Sequence, residues 1–187
     1  MTALSFPLRS VFLGLPLEGD AKKQFRMLQD ALKPFENILR FQSPETPHLT
    51  LQFWPTLMEI EYGQIEKQIP LIAEKHESFS LKIEGVEFFG KHGDDHVMHL
   101  SVPFSEPLAR LRKSCPWPLD RPFHPHITLA RIDHPQRFVR EKKKVLKALG
   151  SVSFEMPVNL LRLYGNVAGK SQTPIADFPL DAAAMSH

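Results

Sequence analysis

The sequence predicts an α+β fold made of two similar halves. Short apolar segments typical of strands are interspersed with amphipathic segments typical of helices, and hairpin-like turns separate some of the strands. One motif occurs twice, as Pro47-His48-Leu49-Thr50-Leu51 and as Pro125-His126-Ile127-Thr128-Leu129. In each half a proline-ended strand and then a helix precede the motif, which indicates two lobes related by approximate two-fold symmetry. Because no linker or low-complexity segment divides the chain, we expect residues 1–187 to form one domain of two lobes.

The first half begins with an apolar strand, predicted at residues 11–15 and ended by Pro16. Asp20 is a suitable N-cap for the helix that follows. The apolar residues of this helix recur at helical spacing, and Pro34 marks its end. The first motif then lies in an extended segment, residues 48–53.

The middle of the chain predicts a second helix, a hairpin and a third helix. Three isoleucines at helical spacing indicate the second helix, although Pro70 interrupts their pattern. Residues 79–89 alternate between apolar and polar side chains, which predicts a single strand. Residues 97–102 are its expected partner, with Gly93-Asp94-Asp95 as the turn. A helix over residues 106–113 follows.

The second half continues with an extended segment, residues 123–132, that carries the second motif. Pro135 can open a basic helix, which Gly150 stops. Short strands follow, among them residues 160–164. We expect the tail, residues 182–187, to be loosely held.

Composition places the protein among ordinary globular proteins. The chain has 187 residues, 42% hydrophobic and 24% charged, with a net charge of +2. This basic bias is too weak to indicate nucleic-acid binding by itself, and it does not repel a phosphate. The single cysteine, Cys115, rules out an internal disulfide and fits a reducing cytoplasm. The apolar runs near the N-terminus are short and broken by prolines, so we expect neither a signal peptide nor a membrane span.

The spacing within the repeated motif has a direct structural meaning. Residues i and i+2 of a strand point to the same face, so His48 projects together with Thr50, and His126 together with Thr128. The aliphatic residues between them point the other way and can anchor each strand. If the two lobes face each other, two imidazoles and two hydroxyls line one cleft.

That set of groups suits phosphodiester hydrolysis without a metal. One histidine can take a proton from water while the other gives a proton to the leaving oxygen. The unperturbed pKa of histidine is about 6.5, so both protonation states are reachable near neutral pH. General acid–base catalysis of this kind contributes roughly 10²–10⁴-fold per group.

The two His-x-Thr elements, together with the run from Arg121 to Arg131, resemble the 2H phosphoesterases. The chain is most similar to their bacterial branch of RNA 2′,3′-cyclic phosphodiesterases, also called 2′-5′ RNA ligases, over about residues 11–180. The resemblance implies two α/β lobes with antiparallel sheets around a central cleft. It also implies that His48 is the acid to the 3′-oxygen, that His126 is the base to water, and that Arg131 holds the phosphate charge.

Other candidate residues allow two interpretations each. Phe53 and Tyr164 can stack on a base or belong to the core. His92, His96 and His99 are expected at the surface or in packing roles. A basic face on the fourth helix is as consistent with solvent exposure as with an RNA contact; it comprises Arg137, Arg140, Lys142, Lys143 and Lys144.

A metal site is the alternative use of the second motif, because His124 and His126 share one strand face. The first motif has no second histidine, and no acidic cluster accompanies either motif. We therefore expect no metal and no cofactor.

Three functions remain open from the sequence. The main hypothesis is a monomeric, metal-independent hydrolase for RNA with 2′,3′-cyclic phosphate ends, with 2′-5′ ligation as a possible side activity. The second is a related enzyme for small cyclic nucleotide or ADP-ribose phosphates. The third is a nucleotide-binding module that keeps the histidines without useful turnover. None of the three involves a membrane.

Overall fold

The structure is a computed structural model, and it describes residues 4–91 and 94–180. The strands are β1 (Leu8–Pro16), β2 (Leu39–Phe41), β3 (His48–Leu57), β4 (Phe79–Glu84), β5 (Val86–Lys91), β6 (Asp94–Ser101), β7 (His126–Ile132), β8 (Ser153–Val158), β9 (Leu160–Val167) and β10 (Lys170–Pro179). The helices are α1 (Gly19–Leu32), α2 (Glu59–Ala73), α3 (Glu106–Ser114) and α4 (Pro135–Leu149), with a short 3₁₀ turn at Lys33–Phe35. His92, the turn glycine Gly93 and the tail, residues 182–187, lie outside the described residues.

One large antiparallel sheet forms the centre of the molecule. Its strand order is β10-β9-β1-β3-β7-β6-β5, and β2 pairs with the far part of β7. The strands β4 and β8 form a separate two-stranded antiparallel sheet. The predicted α+β class with antiparallel sheets is confirmed. None of the described helices is long and apolar enough to cross a membrane.

The two motif strands, β3 and β7, are neighbours in the middle of the large sheet. A strand and a helix precede each of them, β1 and α1 before β3, and β6 and α3 before β7. Each motif strand also pairs with the strand that opens its own half. The strand–helix–motif order expected from the repeat is therefore present in both halves.

The aliphatic residues of the motifs anchor both strands in the core. Leu49, Leu51, Ile127 and Leu129 are at most 1% exposed. At roughly 1.5–3 kcal/mol for each fully buried side chain of this size, their burial holds the motif strands firmly in place.

Helix α4 covers one face of the large sheet. Its Phe138 packs against Phe88 of β5, with ring centroids 5.5 Å apart. As the sequence predicted, the helix begins at Pro135 and ends before Gly150. The φ of Gly150 is +63°.

The predicted single strand over residues 79–89 is wrong. Gly85 adopts a φ of +80° and separates β4 from β5, which join different sheets. Its amide donates to the Val152 carbonyl, and its carbonyl accepts from the Ser101 amide, so the break is fixed by partners on other elements.

One expectation about the helices is wrong, and another is confirmed. Asp20 is not the N-cap of α1; Glu18 holds that position, and Asp20 lies in the first turn and pairs with Lys23 at 2.8 Å. The helix predicted from the three isoleucines is present as α2, and it includes Pro70 near its C-terminal end.

Candidate active site

His48 and Thr50 lie on the same face of β3, and both are partly buried. The Nδ1 atom of His48 lies 2.7 Å from the Thr46 carbonyl oxygen. A carbonyl can only accept, so Nδ1 carries the hydrogen and donates it. The ring is thereby held in one tautomer, and its Nε2 is left as the nitrogen that can exchange a proton.

His126 on β7 repeats this arrangement. Its Nδ1 lies 2.8 Å from the carbonyl oxygen of His124, again two residues earlier in the chain. Thr128 lies on the same face of the strand and is partly buried. The two halves therefore present two imidazoles in the same tautomer, each with Nε2 available.

The pairing of β3 with β7 brings the two motifs together. Leu49 pairs with Ile127, the one pair these strands share within the described residues. In this antiparallel register, the residues that flank the Leu49–Ile127 pair are also neighbours: His48 lies next to Thr128, and Thr50 lies next to His126. All four side chains therefore lie on one face of the sheet, here called the histidine face. The strands diverge on both sides of the single pair.

A β-bulge interrupts each motif strand one residue after its threonine. In β3, Leu13 pairs with Gln52 and Gly14 with Thr50, which leaves Leu51 without a partner on β1. In β7, Met98 pairs with Ala130 and His99 with Thr128, which leaves Leu129 as the extra residue opposite β6.

The bulges redirect the residues that follow them. Plain alternation would place Phe53 and Arg131 on the face opposite the histidines, but one extra residue reverses that alternation. Phe53 pairs with Phe12, whose ring stacks on His48, so Phe53 lies on the histidine face. Arg131 pairs with Val97, and Val97 pairs with Phe89, whose ring contacts that of His126. Arg131 therefore also lies on the histidine face. Phe53 and Arg131 are both exposed.

Aromatic rings enclose His48. Phe12 stacks on the imidazole at 4.4 Å between centroids, and Tyr164 lies at 5.3 Å. Burial lowers the pKa of His48 to about 4; the Thr46 carbonyl opposes this shift, and the charge of His126 adds to it. His48 is therefore neutral near pH 7 in the ligand-free protein.

The structure contradicts a base-stacking role for Tyr164. Its side chain is 0% exposed, and its ring is stacked on Phe12 at 4.7 Å. No face of the ring is free for a base. Tyr164 instead supports Phe12, which in turn supports His48.

His126 has a different environment. Its ring meets the rings of Phe89 and His99 edge to face, at 4.8 and 5.2 Å. Burial lowers the pKa of His126, and the charge of His124 lowers it further, while the His124 carbonyl opposes the shift. His99 is 0% exposed, so it is the packing histidine that the sequence allowed, but it lies directly beside the motif.

The basic face of α4 does not line the histidine face. Phe88, which α4 covers, points away from the side of β5 that carries Phe89. Lys142 lies over the Phe88 ring at 4.1 Å and pairs with Asp95 at 2.7 Å. An RNA contact by α4 would thus be separate from the motif residues.

Sequence reasoning missed two further residues beside the motifs. Phe12 was assigned only to a buried strand, and its stacking on His48 depends on the pairing of β1 with β3. Arg162 pairs with Gly14 and is held by Glu18 at 3.0 Å and by Asp177 at 2.5 Å. Neither position carries a local sequence signal, since both are defined by strand pairing.

The sequence matches the family described as the 2′-5′ RNA ligase superfamily over residues 42–168. This match covers more than half of the chain and both motifs, so the chain belongs to that superfamily. The resemblance to the 2H phosphoesterases is confirmed by it.

Named relatives agree with this membership, and a solved structure shares the fold. A Bacillus subtilis protein named RNA 2′,3′-cyclic phosphodiesterase is 31% identical over 132 residues, which cover 64% of this chain and 69% of that protein. A protein of the same name from Methanothermobacter thermautotrophicus is 25% identical over 148 residues, which cover 75% of this chain and 78% of that protein. The crystal structure of TT0787 from Thermus thermophilus matches the fold with a TM-score of 0.73 at 23% identity, over 95% of this chain and all of that one.

Proposed function

We propose that the protein hydrolyses 2′,3′-cyclic phosphate ends of RNA to 2′-phosphomonoesters. Two relatives named RNA 2′,3′-cyclic phosphodiesterase support this substrate. The observation that carries the proposal is the matched pair of imidazoles on adjacent strands, each with Nδ1 bound to a backbone carbonyl and Nε2 left for proton transfer. The two lobes act as one catalytic unit in a single chain, since each supplies one histidine and one threonine.

In the proposed reaction, the Nε2 atom of His126 takes a proton from a water molecule, and the water oxygen bonds to phosphorus. The bond between phosphorus and the 3′-oxygen breaks, and Nε2 of His48 gives its proton to that oxygen. The product keeps its phosphate on the 2′-oxygen. Thr50 and Thr128 donate hydrogen bonds to the non-bridging oxygens, which carry the negative charge.

The protonation state of His48 sets a condition on this mechanism. An acid must hold a proton, whereas burial lowers the pKa of His48 to about 4 in the ligand-free protein. The bound phosphate diester is an anion, and an adjacent negative charge favours the charged form of histidine. His48 therefore gains its proton when substrate binds. His48 and His126 occupy nearly symmetric positions, so the orientation of the bound substrate determines which of them serves as the acid.

Substrate binding is assigned to the two exposed residues that follow the bulges. Arg131 supplies positive charge and paired donors for phosphate oxygens. Phe53, 50% exposed, offers a ring face on which the terminal base can stack. Placed on different halves of the histidine face, these residues distinguish the base end of the substrate from its phosphate end.

The test is product analysis on an oligonucleotide that ends in a 2′,3′-cyclic phosphate, with excess EDTA present. The expected product is the 2′-phosphate, formed by the unaltered protein and lost in His48→Ala. A cyclic mononucleotide assayed in parallel separates RNA ends from small cyclic phosphates as the preferred substrate. Binding of the oligonucleotide without turnover would overturn the proposal in favour of a nucleotide-binding module.

A further inference from the structure

Three potential metal ligands meet beside the second motif and are not used in the proposed reaction. They are Glu87 on β5, His99 on β6 and His124, which directly precedes Pro125. One ligand atom from each lies within 4.8 Å of the other two. The Nε2 atom of His124 is 3.9 Å from a carboxylate oxygen of Glu87.

His99 is the member whose state calls for an explanation. The residue is 0% exposed, and its Nε2 has no hydrogen-bond partner among the described residues. Its Nδ1 lies 3.4 Å from the carbonyl oxygen of Leu100. A hydrogen on Nδ1 leaves a lone pair on Nε2, and a buried lone pair without a partner is costly. Metal-binding histidines commonly donate their other ring hydrogen to a backbone carbonyl in this way.

We propose that Glu87, His99 and His124 bind one divalent transition-metal ion of the zinc type. Two imidazoles and one carboxylate suit zinc or cobalt, whereas magnesium and calcium prefer oxygen ligands alone. Three protein ligands leave one position of a tetrahedral site for water or a phosphate oxygen.

The three ligand atoms must move closer together to hold an ion. Tetrahedral ligands at zinc distances are about 3.4 Å apart, compared with the 3.9 Å between His124 and Glu87 and with distances to His99 that lie within 4.8 Å. The side chains of Glu87 and His124 are 55% and 58% exposed, so both can move toward an ion. The Oε1 atom of Glu87 accepts a hydrogen bond from the Ser101 hydroxyl at 2.9 Å, and its Oε2 atom faces His124. His99 can stay in place, because it is fixed in the sheet opposite Thr128 and the other two ligands can move toward it.

The site borders the proposed active site without sharing its four motif residues. The His99 ring lies 5.2 Å from that of His126. The proposed metal site depends only on these three ligands. Metal binding can therefore be absent while the proposed hydrolysis is present, and hydrolysis can be absent while the metal binds. A direct measurement of metal binding, with no activity assay, keeps the two apart.

The experiment is calorimetric titration of the full chain, without a histidine tag and freed of metal by a chelator, with ZnCl₂. We expect one ion per chain, and visible absorption bands when CoCl₂ replaces zinc. Glu87→Gln and His124→Ala, both at exposed positions, should each weaken binding by about tenfold or more. His96→Ala is the matched control, since His96 lies on the same strand as His99 but is exposed and pairs with Asp94. It should bind zinc as the unaltered protein does.

His48→Ala excludes a different location for the ion. If the ion bridged the two motif histidines, this variant would lose zinc binding while Glu87→Gln kept it, and the proposal would be overturned. The absence of saturable binding, or equal affinity in Glu87→Gln, His124→Ala and the unaltered protein, would overturn it as well.

Discussion

Phe53 and Arg131 occupy equivalent positions in the two motif strands. Each is three residues beyond its threonine, just past a bulge, and exposed on the histidine face. The burial pattern of the six residues from histidine onward is the same in both strands. The pseudo-symmetry that places two histidines at equivalent positions thus also places two different exposed side chains at equivalent positions, an aromatic ring on one half and a guanidinium on the other.

Removing the guanidinium should weaken binding of the phosphate. Arg131→Gln is expected to raise KM by about tenfold or more, since hydrogen bonds to charged groups contribute roughly 1.5–3 kcal/mol. Steady-state kinetics on the cyclic-phosphate oligonucleotide measure this change. Arg110→Gln, at an exposed position on α3, is the control. An unchanged KM in Arg131→Gln would remove this arginine from the binding site.

Removing the aromatic ring should affect substrates with a base and spare those without one. Phe53→Leu is expected to raise KM for the oligonucleotide by about fivefold or more, because stacking contributes roughly 1–3 kcal/mol per base. A cyclic phosphate that lacks a base should be hydrolysed at an unchanged rate. Phe104→Leu controls for the loss of an exposed aromatic side chain, as Phe104 is 86% exposed and lies outside both motif strands. Equal effects on both substrates would contradict stacking.

Removing either of the two proposed catalytic imidazoles should abolish most of the turnover. His48→Ala and His126→Ala are each expected to lower the single-turnover rate by at least about 10²-fold. The double variant should be little slower than either single one, since both groups act in one proton-transfer step. Thr50→Ala and Thr128→Ala should cost less, because each removes a hydrogen bond and no proton carrier. Circular dichroism confirms the fold, and a near-normal rate in either histidine variant would end the acid–base assignment.

The enclosure of His48 by aromatic rings predicts how its pKa responds to substitution. Phe12→Leu removes the stacked ring and admits water, so the pKa of His48 should rise from about 4 toward 6.5. Burial disfavours the charged imidazole, and less burial must therefore favour protonation at a higher pH. NMR titration of the His48 ring measures the shift directly.

The same change should appear in the kinetics. The limb of the kcat/KM–pH profile that reports the pKa of His48 should move to higher pH in Phe12→Leu. A pKa that stays near 4 in this variant would show that stacking by Phe12 does not set the environment of His48.

The sequence was sufficient for the four motif residues because their geometry is local. The i, i+2 spacing puts His48 with Thr50, and His126 with Thr128, whatever the strands pair with. The bulges at Leu51 and Leu129 depend on the registers with β1 and β6, which are far away in the chain, so the orientation of Phe53 and Arg131 was not predictable.

The remaining errors have two origins. The apolar–polar alternation of residues 79–89 shifts by one position at Gly85, which is a local sign of a break, and the positive φ of Gly85 and its partners on other elements divide the segment there. From the sequence alone, Tyr164 could lie in a strand at the surface or in the core. In the structure β9 lies between β1 and β10, and Tyr164 is buried there. Glu87, His99 and His124 come from separate segments and meet only through sheet pairing.

The carbonyls of Thr46 and His124 have a consequence for the charge of the site. Many catalytic histidines are oriented by a carboxylate, which would add a negative charge beside the proposed binding position of an anionic phosphate. A backbone carbonyl orients the ring while adding no net charge, so repulsion of the proposed substrate is avoided. It also belongs to the strand itself, and no side-chain substitution removes it. The orientation of each imidazole therefore changes only if the main chain of its strand changes conformation.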